Sequence, residues 1–172
     1  ERISVIVPVA GHAGMKPRIE ALYDLGDLEQ VPSDFLATAD YTHLTALFAP
    51  RPALLIYNQR DPCCFLPERA LPTTYDAARP VYRLLGAEDK LAFYINEVPG
   101  THNYEEDNRA RLYRFLEDHF SLDRGTIREQ PLSEEEYHDK EELYAGLPEN
   151  NATFASLAQE VLATSTRPSV PE

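Results

Sequence analysis

Asp61 and His102 are the two residues whose types and positions could do chemistry together. Asp61 follows the apolar run 53–57, and His102 follows the partly alternating run 91–95. Both runs are typical of buried strands, and a helical stretch separates them. A carboxylate and an imidazole at the carboxyl ends of consecutive parallel strands would face one crevice, where open α/β sheets bind ligands. An acid that orients a general-base imidazole supplies two members of a nucleophilic triad.

The third member, the nucleophile, has no candidate in the sequence. No Gly-x-Ser-x-Gly motif occurs in the 172 residues. The chain also begins at Glu1, directly before a strand-like segment, without an initiator methionine or a basic leader. We therefore expect the chain to be the carboxyl-terminal part of a longer polypeptide, with its serine upstream of Glu1. No segment indicates a cellular location.

Cys63 and Cys64 lie close to Asp61 in the sequence but are not expected to act as nucleophiles. A residue so near the orienting acid cannot easily reach the far side of His102. Two adjacent cysteines do not make a disulfide framework, and both are predicted to be small packed thiols. No group of His, Cys and Asp has the sequence spacing of metal ligands, and no glycine-rich loop suits phosphate, so no metal or cofactor is predicted.

Composition indicates a globular chain: 43% of the residues are hydrophobic and 26% are charged. Sixteen basic and twenty-nine acidic residues give a formal net charge of −13. That charge argues against nucleic acid and against an anionic membrane as partners, because both require a basic face. No apolar run approaches the length that spans a bilayer.

Strands and helices alternate through Phe120, which predicts a mostly parallel sheet in a three-layer α/β/α arrangement. The predicted strands are Ile3–Val9 and the two runs before Asp61 and His102. Ile3–Val9 would leave one bare sheet edge, so we expect an upstream part of the same protein or a second chain to cover it. His12, after this first strand, could face the crevice or could serve the loop structurally.

Residues 121–172 differ in character from residues 1–120 and are predicted to form an acidic extension. They contain eleven acidic and four basic side chains. One amphipathic helix is predicted near residues 154–162.

Several segments resemble the last third of an α/β-hydrolase, in which the triad order is Ser, then Asp or Glu, then His. The stretch Ala-Pro-Arg-Pro-Ala-Leu-Leu-Ile-Tyr-Asn-Gln-Arg-Asp-Pro at 49–62 is similar to the region before the triad acid of acetyl xylan esterase-like and prolyl-oligopeptidase-like serine hydrolases. Residues 75–86 and the Pro-Gly-Thr-His turn at 99–102 fit the same pattern. The resemblance covers roughly residues 1–120. It implies a cofactor-free hydrolase with Asp61 as triad acid and His102 as triad base.

The expected activity is that of a carboxylic-ester hydrolase acting on a small-molecule or carbohydrate ester. Two alternatives stay open at this point. A prolyl-oligopeptidase-like peptidase would have a similar sheet and triad acid. A non-catalytic hydrolase fragment would instead bind a partner through the bare strand edge.

Overall fold

The computed structural model describes residues 2–21, 34–63, 65–125, 127 and 138–165. The chain divides into two compact units, Glu1–Pro131 and Leu132–Glu172. A division at residue 120 stays a prediction drawn from composition. The regular elements of the first unit are α1 (Met15–Ala21), α2 (Phe35–Thr38), α3 (Tyr41–Phe48), β1 (Ala53–Asn58), α4 (Pro67–Ala70), α5 (Tyr75–Leu84), β2 (Leu91–Asn96) and α6 (Glu106–His119).

The two predicted strands on either side of α5 pair with each other in parallel. Their register runs from Ala53 opposite Leu91 to Asn58 opposite Asn96. Every residue of β1 is buried, as expected for a parallel strand that is covered on both faces. Because the two strands end at the same level, the loops that carry the candidate acid and base start side by side.

The segment Ile3–Val9 was predicted to be a regular strand, and this is corrected by the structure. It runs parallel to β1 but is joined to it only by isolated bridges, from Ile6 to Ala53 and from Val9 to Ile56. Pro8 is the reason. Its carbonyl accepts from the Ile56 N–H at 3.0 Å, but a proline has no N–H to return to the ladder. β1 is therefore the middle of three parallel segments.

Helices cover both faces of the sheet. Successive residues of β1 point to opposite faces and therefore pack against different helices. Ala53 packs with Phe48, Ala78 and Tyr82 from α3 and α5. On the opposite face, the side chains of Leu54 and Ile56 pack with Phe115 of α6. The core therefore has the three layers that the sequence predicts.

Capping explains where α3 begins. Asp40 precedes the helix and accepts the Tyr41 N–H, and His43 accepts the Asp40 N–H in return. The Asp40 carboxylate also accepts the N–H groups of Met15 and Lys16 at the start of α1. One side chain thus anchors the first turns of two helices.

The second unit contains α7 (Lys140–Leu143) and α8 (Phe154–Thr164). The predicted helix near residues 154–162 is confirmed as α8. Thr153 caps it by accepting the Ser156 N–H. Within the described part of the chain, no helix has the length and apolar character needed to cross a bilayer.

Candidate active site

The structure places Asp61 in the loop that leaves β1. Its backbone N–H donates to the Asn58 carbonyl, so the chain turns back immediately after the strand. The side chain is fully buried. Its Oδ1 accepts the Cys63 N–H at 2.8 Å. One carboxylate oxygen is thus fixed by the backbone, and the other faces the neighbouring loop.

His102 lies in the loop that leaves β2, opposite that second oxygen. Its Nδ1 is 2.8 Å from Asp61 Oδ2, within ordinary hydrogen-bond reach. The two residues are 41 positions apart in the sequence. The imidazole is half-exposed, whereas the carboxylate is sealed from solvent. The structure therefore brings together an oriented acid and an imidazole with an accessible face, as the sequence predicts. Their catalytic roles stay a prediction.

Backbone and guanidinium contacts hold the two loops to each other. The Arg60 N–H donates to the Gly100 carbonyl at 2.7 Å. The Arg60 side chain donates to the carbonyls of Pro99 and Glu97, at 2.6 and 3.1 Å. Gly100 has a φ of +71°, and an added Cβ would lie 2.8 Å from the Glu97 oxygen. A glycine is therefore required two residues before His102.

Four asparagines next to the loops that carry the Asp61–His102 pair (the dyad) form a hydrogen-bonded network, which the sequence analysis did not predict. Asn58 and Asn96 end the two strands opposite each other and are fully buried. Asn108, on α6, donates to Asn58 Oδ1 at 3.0 Å and to the Asn103 carbonyl at 3.0 Å. Asn103 follows His102 directly and donates to Asn58 Oδ1 at 3.3 Å. The network thus ties the histidine loop to both strands and to α6.

One signal in the sequence could have revealed this network. Each of the two predicted strands, 53–57 and 91–95, is followed directly by an asparagine, and both asparagines precede the candidate site residues. Because a buried amide has to find several hydrogen-bond partners, paired asparagines at strand ends indicate a polar support for the loops above them.

Cys63 differs from its predicted role as a packed thiol, because its side chain is exposed. Cys64 lies outside the described residues. Cys63 also approaches the dyad: one potential ligand atom each from Asp61, Cys63 and His102 lies within 4.8 Å of the other two. Sequence spacing gave no metal-binding pattern, because His102 comes from a different loop.

His12 forms hydrogen bonds with residues of α3 and β1. Its Nε2 is 2.7 Å from Thr45 Oγ1 on α3. Its carbonyl accepts the Tyr57 hydroxyl at 2.8 Å. These contacts fit the structural alternative for His12. Burial of the ring lowers its pKa to about 4, although the nearby Asp40 carboxylate acts in the opposite direction.

The depressed pKa of His12 predicts a pH-dependent stability. The unfolded histidine titrates near its ordinary pKa of about 6.5, so the unfolded chain binds more protons than the folded chain between about pH 6.5 and 4. The free energy of unfolding should therefore decrease as the pH falls through this window. His12→Gln should flatten the slope, measured by urea unfolding at about pH 7 and about pH 5.

His138→Gln is the matched control, because His138 is exposed and lies in the second unit, where Glu142 is its neighbour. This control should keep the slope of the parent chain. An unchanged slope in His12→Gln would contradict the prediction.

Comparison with solved structures identifies the fold. Methylesterase BT1017 aligns with 95% of this chain and 35% of its own length, at a TM-score of 0.59 and 21% identity. A carbohydrate esterase family 15 (CE15) glucuronoyl esterase from Caldicellulosiruptor kristjansonii aligns with 77% of this chain and 42% of its own length, at a TM-score of 0.52 and 20% identity. The chain thus spans less than half the length of either structure.

At the level of sequence, no protein-family profile matches the chain and no curated protein matches it. The expected α/β-hydrolase fold is nevertheless confirmed, because the chain matches both structures with TM-scores above 0.5. The parallel strands, the helices on both faces and the two site loops therefore form part of an α/β-hydrolase fold.

Proposed function

We propose that this chain supplies the acid and the base of a serine carboxylic-ester hydrolase. The observation that carries the proposal is the 2.8 Å contact between Asp61 Oδ2 and His102 Nδ1, at the carboxyl edge of a parallel sheet. A buried carboxylate that accepts from one ring nitrogen leaves the other nitrogen able to take a proton.

The proposed reaction follows from that arrangement. Asp61 keeps the proton of the neutral imidazole on Nδ1, so Nε2 can accept the proton of a serine hydroxyl as the hydroxyl attacks the ester carbonyl. The resulting imidazolium is stabilised by the carboxylate and then protonates the leaving alkoxide. The serine and the oxyanion-hole amides are proposed to lie on a strand, turn and helix upstream of Glu1.

The substrate class is proposed from the structural neighbours. One is described as a methylesterase and the other as a glucuronoyl esterase. We therefore favour an ester of a carbohydrate over a peptide bond. A polypeptide containing this chain and an upstream Gly-x-Ser-x-Gly should hydrolyse nitrophenyl acetate or a uronate methyl ester. Cleavage of a peptide nitroanilide and of neither ester would overturn the esterase proposal in favour of a peptidase.

The 172-residue chain alone should be inactive, because its sequence contains no Gly-x-Ser-x-Gly motif, the nucleophile elbow, to act with Asp61 and His102. It should hydrolyse nitrophenyl acetate no faster than free imidazole at the same concentration, and a fluorophosphonate probe should leave its mass unchanged. The polypeptide that also carries the elbow is the positive control. Stoichiometric labelling of any serine, or of Cys63, in the short chain would show that the nucleophile has been misplaced.

A further inference from the structure

Three potential metal ligands of different chemistry meet at the open side of the site. They are a carboxylate oxygen of Asp61, the Cys63 sulfur and an imidazole nitrogen of His102, all within 4.8 Å of one another. Asp61 is fully buried and is held by the Cys63 N–H, so one ligand is fixed in place. Cys63 is exposed and the His102 ring is half-exposed, so an ion from solvent can reach both.

This ligand set selects for a particular class of ion. Thiolate and imidazole favour borderline-soft ions over Mg²⁺ and Ca²⁺, which prefer all-oxygen sites. Zn²⁺ binds sulfur, nitrogen and carboxylate oxygen together. With three protein ligands it keeps a fourth position for water. A tetrahedral site separates its nitrogen and oxygen ligands by about 3.4 Å, whereas His102 Nδ1 and Asp61 Oδ2 are 2.8 Å apart. The half-exposed ring therefore has to move away from the carboxylate by about 0.6 Å.

We infer that Asp61, Cys63 and His102 bind one thiophilic divalent cation of the Zn²⁺ type. On binding, the Cys63 thiol releases its proton to solvent, and the His102 ring proton moves by exchange with solvent from Nδ1 to Nε2, so that Nδ1 can bind the metal. The Asp61–His102 hydrogen bond is replaced by two metal–ligand bonds. The imidazole then no longer has its orienting carboxylate. A consequence that rests on the proposed function is reversible inhibition of the esterase by Zn²⁺.

The test titrates the reduced 172-residue chain with Zn²⁺ by calorimetry and with Co²⁺ by absorption spectroscopy. We expect one site per chain. Bound Co²⁺ should produce a near-ultraviolet thiolate-to-metal charge-transfer band, which an added excess of Zn²⁺ should remove. Cys63→Ser should abolish the band and weaken Zn²⁺ binding at least about tenfold, since even outer-shell partners of metal ligands contribute that much. His102→Gln should weaken Zn²⁺ binding by at least as much.

Two matched variants separate this site from unspecific binding. Cys64→Ser removes the adjacent thiol, and His138→Gln removes an exposed imidazole from the second unit; both should retain the band and the affinity. Absence of the band in the parent chain, its persistence in Cys63→Ser, or its loss in Cys64→Ser would overturn the inference. Because these readouts measure binding and not turnover, their failure leaves the esterase proposal intact. Conversely, metal binding by this chain, together with no esterase activity in the longer polypeptide that also carries Gly-x-Ser-x-Gly, would refute only the proposed function.

Discussion

Replacing Asp61 by Asn is expected to lower turnover by about 10⁴-fold in a polypeptide that carries this chain together with the proposed serine nucleophile. The Asn oxygen can keep the contact that Asp61 Oδ1 makes with the Cys63 N–H. The amide NH₂ then faces His102 Nδ1 and forces that nitrogen to accept. The ring proton moves to Nε2, the atom that acts as base in the proposed mechanism. The fold should persist while the imidazole is held in the wrong tautomer.

The measurement is the steady-state turnover number on an ester substrate, with thermal unfolding to verify that the variant is folded. Asp76→Asn is the matched control, since Asp76 is an exposed carboxylate in the first turn of α5. Its turnover should equal that of the parent. A folded Asp61→Asn variant that loses less than about tenfold would show that the carboxylate does not serve as triad acid.

The two paired strands could be predicted because each is a short apolar run in the sequence. The contact between Asp61 and His102 could be predicted because it follows from the parallel pairing of those strands. A continuous apolar run before Asp61 marks a strand buried on both faces, and its parallel neighbour has to end at the same edge. Once the two strands pair in register, Asp61 and His102 occupy adjacent loops. The distance between them therefore follows largely from strand topology.

The edge of the sheet was harder to predict because one residue changes it. The β-branched residues of Ile3–Val9 favour a strand, and the segment does run beside β1. Pro8 removes a donor from the middle of the ladder, which reduces regular pairing to isolated bridges. A prediction from residue types counts Pro8 as one unfavourable residue among many, whereas in the sheet it removes a hydrogen bond of the ladder.

The contacts around the dyad could not be predicted because they join residues that are distant in the sequence. Cys63 looks like a packed thiol when free cysteines in general are considered, yet the bend after Asp61 turns it outward. Asn108 is fully buried on α6 and contacts Asn58, 50 positions earlier. Neither pattern has a periodic signature, since each depends on the path of two loops in three dimensions.

Replacing Asn96 by Leu is expected to lower the free energy of unfolding by about 3–4 kcal/mol. Asn96 is fully buried, and its Oδ1 accepts the buried Gly100 N–H at 2.9 Å. Its Nδ2 donates to the Val98 carbonyl at 3.0 Å and to Asp107 Oδ2 at 2.8 Å. Leu has a similar size, so little cavity is created, but the Gly100 N–H loses this partner inside the protein. The cost therefore comes from an unpaired buried donor and a lost bond to a charged acceptor.

Urea unfolding of the 172-residue chain measures this loss. Gln59→Leu is the control, because it removes an exposed side-chain amide from the residue whose backbone N–H donates to the Asn96 carbonyl. The control should stay within about 0.5 kcal/mol of the parent. The Asn96 variant should also shift the NMR resonances of the His102 ring but not those of His43, which caps α3, because Asn96 holds the turn that leads to His102. A loss below about 1 kcal/mol, the ordinary worth of one hydrogen bond, would show that the turn is held mainly by Arg60 and not by the asparagines.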